Sequence, residues 1–213
     1  MVEILEGIHT VEQSPADGWD LEGYILDCGD DLVIVDTGFT ASDISSYRGE
    51  LEAMGRDWTE VSAILITHGH GDHIENLTQI KDLTGADVMA GTGDVASIEA
   101  RTGVKVDRAL DHGDLLELCG GIEVVLVPGH SEGNLCFFLV KQKTMIAGDT
   151  IFGDERGNLL APPEKYCVDV GMAADEISRL LEYDFDRLLL SHGENLMRDA
   201  KRMVERLCAQ SRV

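Results

Sequence analysis

The fold of this chain is decided by residues 63–74, which read AILITHGHGDHI. The first four residues form a short β-rich apolar run that predicts a buried strand, and three histidines and an aspartate follow directly. His68, His70 and Asp72 lie two residues apart, so on an extended loop their side chains point the same way. The intervening glycines allow a tight wrap that larger side chains would obstruct. This stretch therefore predicts a cluster of metal ligands at the end of a strand.

Three more apolar runs end shortly before a potential metal ligand. The ligands that follow these runs are His130, Asp149 and His192. Strands of an α/β-layered fold carry their functional groups at the carboxyl ends. Four strands that each release a histidine or an aspartate would therefore bring all these side chains to one rim of the fold.

The chemistry of two metal ions requires a ligand set of this kind. Imidazole and carboxylate groups bind a divalent ion of intermediate softness at about 2.0–2.2 Å. Seven ligands are too many for one ion but suit two that share a carboxylate. We predict a first ion on His68, His70 and His130, a second on Asp72, His73 and His192, and Asp149 as the bridge. Zinc is the expected metal, with iron and manganese as alternatives.

Composition narrows the class of protein. Seventeen basic residues stand against forty acidic ones, a net charge of −23 that disfavours nucleic acid and anionic membranes as partners. No apolar run approaches the roughly 18 residues of a membrane span, and the N-terminus does not resemble a signal peptide. We therefore expect one cytoplasmic domain over residues 1–213, with an acidic surface that a high-salt cytoplasm would tolerate. Oligomeric state is left open, with a homodimer among the alternatives.

The cysteines and the two remaining histidines carry weaker signals. The five cysteines form no Cys-x-x-Cys pair and are odd in number, which predicts reduced, mostly buried thiols. His112 lies in a turn signal, Asp-His-Gly-Asp, and His9 fits no ligand pattern. Both histidines are predicted to lie on the surface.

Periodicity predicts a chain of many short strands with helices interspersed. Strands are expected at 2–12, 22–27, 32–36, 61–66, 86–90, 115–118, 121–128, 134–140, 143–148 and 186–190. Helices are expected at 42–54, 73–84, 93–101, 171–183 and 195–209, the first of them capped by Ser42. Residues 152–168 are expected to form a long loop. This order suggests an α+β fold of two sheets with helices outside.

The motifs together resemble those of the metallo-β-lactamase superfamily of hydrolases. The matching stretches are Asp36-Thr37-Gly38, the His-x-His-x-Asp-His loop of residues 68–73, Pro128-Gly129-His130-Ser131, Gly148-Asp149-Thr150 and Ser191-His192-Gly193. The resemblance implies a four-layer αββα sandwich with the metal site at one edge of the two sheets.

Asp149 and its neighbours narrow the implied activity within that superfamily. Zinc β-lactamases lack an aspartate at the bridging position, whereas branches that cleave thioesters and phosphoesters carry one. Residues 148–152, GDTIF, are similar to the stretch in glyoxalase II, which hydrolyses S-2-hydroxyacylglutathione. Only 21 residues follow His192, so we do not expect the helical domain that grips glutathione in that enzyme. Lactonases carry a catalytic tyrosine where this chain has Phe152, and the tRNA-processing branch needs a basic surface.

The resemblance therefore implies hydrolysis of a small-molecule thioester or ester by a hydroxide that bridges two metals. Two alternatives remain. The persulfide dioxygenases keep the same motifs but use one iron, which by resemblance would be held by His68, His130 and Asp149. A non-catalytic sensor or interaction module on the same fold is the other alternative, although the complete ligand set argues against it.

Several residues are assigned supporting roles. Asp72 is expected to orient the hydroxide or to accept its proton. Asp36 is expected to orient a ligand histidine, or otherwise to form a turn, and Ser131 and Asn134 are weaker candidates for the same supporting role. The loop at 152–168 is expected to wall the substrate pocket with Phe152, Arg156, Lys165 and Tyr166, where cationic and aromatic groups would receive an anionic or polar tail. A solvated loop is the alternative.

Overall fold

The computed structural model describes residues 2–16, 18–154 and 156–210. Its strands are β1 Val2–Leu5, β2 Ile8–Ala16, β3 Trp19–Asp27, β4 Leu32–Val35, β5 Ala63–Ile66, β6 Asp87–Gly91, β7 Arg108–Leu110, β8 Leu115–Leu116, β9 Ile122–Leu126, β10 Leu135–Leu139, β11 Thr144–Ile146, β12 Phe152–Gly153, β13 Leu159–Leu160 and β14 Arg187–Leu189. Its α-helices are α1 Ala41–Met54, α2 Gly71–Ile74, α3 Leu77–Thr84, α4 Val95–Thr102, α5 Val170–Glu176 and α6 Ala200–Gln210.

The strands form two main sheets and one small hairpin. The first sheet has the order β1 to β7, antiparallel from β1 to β4 and parallel from β4 to β7. The second has the order β14-β11-β10-β9-β8, in which only β11 and β14 are parallel. The hairpin pairs β12 with β13. This topology brings the carboxyl ends of β4, β5, β9, β11 and β14 to a common edge.

Three apolar layers hold the sheets and helices together. One layer joins α1, α3 and α4 to the outer face of the first sheet, where Tyr47, Ile64 and Ile80 are fully buried. The middle layer lies between the two sheets around Leu65 and Phe137. The third joins α6 to the outer face of the second sheet. Burial of a large aliphatic or aromatic side chain stabilises the fold by about 1.5–3 kcal/mol. The predicted αββα sandwich is therefore confirmed.

Local differences from the predicted elements have identifiable causes. The helix predicted at 73–84 is divided into α2 and α3, because buried Asn76 between them donates its side-chain amide to the carbonyls of Thr37 and Thr40. Helix α6 begins five residues later than predicted, since Leu196 first pairs with Leu188 beside β14. Thr40, not Ser42, is the N-cap of α1. Strand β7 and the β12–β13 hairpin were not predicted.

Two predictions about the remaining histidines and cysteines are wrong in part. His9 is buried rather than exposed, because α1 packs on β2 and brings the Glu50 carboxylate within 3.2 Å of its Nδ1 atom. His112 is exposed as predicted. Cys28 and Cys119 form a disulfide between the two sheets, so not all five cysteines are reduced.

None of the helices in the described part of the chain combines the length and the apolar character needed to cross a membrane.

Candidate metal centre

The common edge of the two sheets gathers all seven predicted ligands. His68, His70 and His130 form one set, here called the first ligand group. The second ligand group consists of Asp72, His73, Asp149 and His192. Within each group the ligand atoms all lie within 4.8 Å of one another. The strand ends thus produce the convergence that the sequence predicts, and the two groups coincide with the predicted division between two ions.

Asp149, a member of the second ligand group, lies between the histidines of that group and those of the first. Its Oδ1 atom is 3.2 Å from Nε2 of His73 and 3.5 Å from Nε2 of His192. Its Oδ2 atom is 3.4 Å from Nε2 of His130 and 3.9 Å from Nε2 of His68. One carboxylate oxygen therefore faces each group, which is the arrangement that a bridging ligand requires.

The nitrogen and oxygen atoms of the two groups are placed more favourably for binding divalent ions than for hydrogen bonding with one another. In the first group, Nε2 of His68 lies 3.0 Å from Nδ1 of His70 and 3.1 Å from Nε2 of His130. In the second group, Nε2 of His73 and Oδ1 of Asp149 face each other at 3.2 Å as a buried ion pair, and the contact does not have the geometry of a hydrogen bond. Buried polar atoms without a partner destabilise a protein by about 1–3 kcal/mol each. A bound cation removes that cost, so this His/Asp cluster is able to bind metal.

The two groups differ in how readily they hold protons. Burial lowers the pKa of His68 well below its usual range and that of His130 to about 4. Burial alone would also lower the pKa of His192, but the Asp149 carboxylate beside it raises that pKa to about 9. The pKa of buried His73 is raised for the same reason, by Asp149 and Asp36. The first group is therefore neutral near pH 7. In the second group, His73 and His192 hold protons that a metal ion must displace.

This difference predicts proton release when metal is loaded. A histidine must be neutral to bind an ion, so loading the second group near pH 7 should release about one proton each from His73 and His192. The affinity of the second group should then rise with pH through the neutral range, and the part of this rise that comes from His192 should level off above its pKa of about 9. The first group should release none. Calorimetric titration of the metal-free protein in buffers of different ionisation enthalpy measures the protons released, and identical heats in all buffers would contradict the prediction.

Asp36 forms a hydrogen bond with a histidine of the second ligand group, which is the contact that its predicted supporting role requires. Its Oδ2 atom is 2.8 Å from Nδ1 of His73 and also accepts from the Thr67 hydroxyl, while Oδ1 accepts from the Thr67 backbone N–H. The residue has a φ of 61° in the left-handed region, which aspartate tolerates better than most residues. The fixed carboxylate keeps Nε2 of His73 directed at Asp149.

Ser131 and Asn134 lie beside the cluster, and within the described part of the chain their side chains form no hydrogen bond to a ligand side chain. The Ser131 hydroxyl donates to Asp94, and the Asn134 amide donates to the carbonyl of Val127 and to the Thr150 hydroxyl. Asn134 thus joins the loop before His130 to the loop that carries Asp149.

Thr67, Asp20 and Asp94 contact the ligands or the loops that carry them, although the sequence analysis does not identify them. The Thr67 hydroxyl is 3.1 Å from Nδ1 of His68. The backbone carbonyl of Asp20 is 2.7 Å from Nδ1 of His192. Asp94 accepts hydrogen bonds from both loops that carry the first ligand group. Thr67, directly before the first histidine, could have been inferred from its position, whereas Asp20 and Asp94 approach only through tertiary packing.

A cavity of about 350 Å³ opens above the cluster. Phe152 stacks on His192 with ring centroids 4.9 Å apart, and Trp19 meets the edge of Phe152 at 5.3 Å. Lys165 and Tyr166 also line the cavity, and the Lys165 ammonium lies 4.4 Å from the centroid of the Tyr166 ring. Phe152, Lys165 and Tyr166 therefore lie where the sequence predicts.

Arg156 does not reach this cavity, so its predicted place in the pocket is wrong. It is exposed at the turn of the β12–β13 hairpin, where its backbone N–H bonds to Asp154. The hairpin turns the middle of the predicted loop away from the ligands. Trp19 from β3 and Cys167 line the cavity instead, although neither was predicted to do so.

Comparison with known proteins agrees with this geometry. A family model described as the metallo-beta-lactamase superfamily matches residues 24–193. A hydroxyacylglutathione hydrolase of Rhizobium meliloti (strain 1021) is 32% identical over 125 residues, which are 58% of this chain and 47% of that protein. One of Ectopseudomonas mendocina (strain ymp) is 37% identical over 127 residues, 59% of this chain and 44% of that protein. The chain thus spans less than half the length of these curated relatives.

Solved structures extend the likeness of the fold to nearly the whole chain. A metallo-beta-lactamase family protein from Thermus thermophilus has a TM-score of 0.78 at 20% identity, covering 98% of this chain and 80% of that one. A metallo-beta-lactamase from Pontibacter korlensis also has a TM-score of 0.78, at 17% identity, covering 99% and 97%. At these identities the likeness concerns the fold alone.

Proposed function

The chain belongs to the metallo-beta-lactamase superfamily, and on that premise we propose that it hydrolyses a thioester or ester of a small molecule with two divalent ions. The observation that carries the proposal is the position of Asp149, which turns one oxygen to each ligand group. When bound, two ions supply a hydroxide nucleophile near neutral pH and polarise the scissile carbonyl. Zinc as the metal, a cytoplasmic location and a single-domain organisation stay predictions.

In this proposal the seven ligands hold the ions, and Asp72 also handles a proton. The Asp72 side chain is 23% exposed and lines the cavity, with Oδ2 3.6 Å from Nε2 of His192. Burial alone would raise the pKa of Asp72, but the neighbouring His192 and the charge of His73 lower it, so Asp72 stays ionised. Its Oδ2 atom can therefore orient the attacking water and accept the proton that it loses.

Asp36 acts through His73 in this proposal. It keeps the His73 ring in the orientation that directs Nε2 towards Asp149 and the cavity. Removing such a partner from a metal-binding histidine commonly lowers metal affinity or activity by about 10–100-fold. Asp36 thus contributes to the reaction by positioning and not by contact with the substrate.

The cavity supports a small substrate with an apolar part. Its volume of about 350 Å³ lies near the lower end of ligand pockets, and Trp19 and Phe152 supply an aromatic wall beside His192. A short acyl or thiol group can be buried against that wall while its carbonyl faces Asp149. The similarity to hydroxyacylglutathione hydrolases supports a thioester. Because the chain matches less than half of those proteins, glutathione is not part of the proposal.

Metal analysis combined with a substrate panel tests the proposal. The purified protein should hold about two divalent ions and hydrolyse thioesters or aryl esters without oxygen. A chelator should abolish the activity, and added divalent metal should restore it. His70→Ala should lose the first ion and the activity, whereas His112→Ala, which removes an exposed imidazole outside the cluster, should lose neither.

Two results would overturn the proposal. One iron per chain, with oxygen consumed in the presence of a persulfide and no ester cleavage, would indicate a dioxygenase. Full metal loading without activity on esters, thioesters, lactones or phosphodiesters would indicate a sensor or interaction module.

A further inference from the structure

Asp94 is a buried carboxylate that lies behind the first ligand group. It follows β6, directly before α4, and only 3% of the residue is exposed. Its Oδ2 atom accepts from the backbone N–H of Gly69 at 2.9 Å and from the hydroxyl of Ser131 at 2.6 Å. Its Oδ1 atom accepts from the backbone N–H of Gly133 at 2.8 Å. Three donors therefore offset the cost of burying this charge.

The residues that bond to Asp94 are the immediate neighbours of the ligands. Gly69 stands between His68 and His70, and Ser131 directly follows His130. One carboxylate thus joins two loops that come from different sheets, the loop after β5 and the loop after β9. The distances among the three imidazoles depend on how these loops are held together.

The backbone before Asp94 packs closely against the backbone of the loop that follows His130. A Cβ atom on Gly91 would lie 2.0 Å from the carbonyl oxygen of Gly133, and one on Gly93 would lie 2.6 Å from the carbonyl carbon of Glu132. The segment that carries Asp94 is therefore pressed against the loop that follows His130. This packing restricts the position of the Asp94 side chain and so keeps it at its three hydrogen-bond donors.

Asp94 and Asp36 serve different ligand groups. Asp36 bonds to His73 of the second group. Among the described residues, no hydrogen bond joins Asp94 to a member of the second group, since its partners are Gly69, Ser131 and Gly133. We propose that Asp94 is a positioning residue that fixes the first ligand group, by holding the loop of His68 and His70 against the loop of His130.

Asp94→Asn tests this inference with little change of shape. The amide group has one acceptor oxygen, and its NH₂ cannot accept from the N–H groups or the hydroxyl that now face the carboxylate. The first ion should bind about 10–100-fold more weakly, and the second with unchanged affinity. Competition with a chromophoric chelator measures both affinities, and the absorption spectrum of the Co²⁺-loaded protein reports the geometry of each site.

Two backgrounds identify which group is affected. In His192→Ala, which damages the second group, Asp94→Asn should lower the affinity for the first ion by the same factor of about 10–100. In His70→Ala, which damages the first group, Asp94→Asn should change the remaining affinity by less than about twofold, since the hydrogen bonds of Asp94 go to the loops of the first group and not to a ligand of the second. Equal losses in both backgrounds, or none in either, would overturn the inference.

Two more variants separate positioning from general stability. Asp43 is a matched control, because its buried carboxylate accepts from the backbone N–H groups of Ser14, Phe39 and Thr40 and, among the described residues, forms no hydrogen bond to a ligand. Asp43→Asn should lower stability but leave both metal affinities unchanged. Should Asp94→Asn fail to fold, Ser131→Ala removes a single donor and should weaken the first ion by up to about tenfold. No change there would contradict the inference.

The inference rests on the proposed metal site but not on the proposed substrate. A wild-type protein that binds no metal would refute the proposed function. A wild-type protein with two ions, together with Asp94→Asn that keeps the first ion at full affinity and with its wild-type Co²⁺ spectrum, would refute the role of Asp94 alone.

Discussion

Replacing Asp149 by asparagine should lower hydrolytic activity by about a thousandfold or more. The side chain keeps its size but loses its charge and one of its two acceptor oxygens. Since Oδ1 faces His73 and His192 while Oδ2 faces His130, one of the two groups must lose a ligand. Metal ions stabilise the charge that develops in hydrolysis by several kcal/mol, and each 1.36 kcal/mol corresponds to a factor of ten in rate.

Steady-state kinetics and metal analysis on the same preparation check this prediction. Asp149→Asn should bind fewer ions than the wild-type protein, and the loss should appear in kcat. Asp184→Asn is a suitable control, because that carboxylate is exposed and pairs with Lys143 at the surface. Activity within tenfold of wild type and a full metal content would show that Asp149 does not bridge the ions.

The convergence of the candidate ligands could be predicted because four of them closely follow apolar runs that the sequence itself marks as strands. The apolar runs that become β5, β9, β11 and β14 precede His68, His130, Asp149 and His192 by only a few residues. Strands of one sheet share their edges, so the ends of these runs fix where the ligands lie. The prediction therefore needed local patterns and one rule of topology.

The supporting residues could not be predicted in the same way. Asp94 follows Thr-Gly, a pattern typical of a turn, and its role appears only when the loops after β5 and β9 meet. Cys28 and Cys119 lie 91 residues apart and pair only because two turns from different sheets come together. The prediction that His9 is exposed is wrong because no local pattern in the sequence indicates that α1 covers β2. Contacts of this kind depend on packing between distant segments.

Reducing the Cys28–Cys119 disulfide should lower the free energy of unfolding by about 4–5 kcal/mol. The bond closes a loop with a sequence separation of 91 residues, and the entropy that such a cross-link removes from the unfolded chain gives that figure. A domain of ordinary stability unfolds with about 5–15 kcal/mol. The disulfide therefore accounts for a large share of the stability.

Urea unfolding with and without a reductant measures this effect. The double variant Cys28→Ser/Cys119→Ser should match the reduced wild-type protein, and reductant should not destabilise the variant further. Thiol titration of the denatured, unreduced wild-type protein should find only Cys136, Cys167 and Cys208 free. Five reactive thiols, or a midpoint that does not respond to reductant, would contradict the prediction and favour the reduced cysteines expected from the sequence.

The disulfide also allows stability to be separated from catalysis. Cys28 lies in the turn between β3 and β4 and Cys119 in the turn before β9, at the opposite ends of these strands from the ligands. The bond joins the two sheets at that far edge, while Asp36, Asp94 and Asn134 secure the loops at the metal edge. Reduction should therefore leave kcat and metal content per folded molecule unchanged while the unfolding midpoint falls. A loss of bound metal in parallel with the loss of stability would mean that the two edges are coupled through the sandwich.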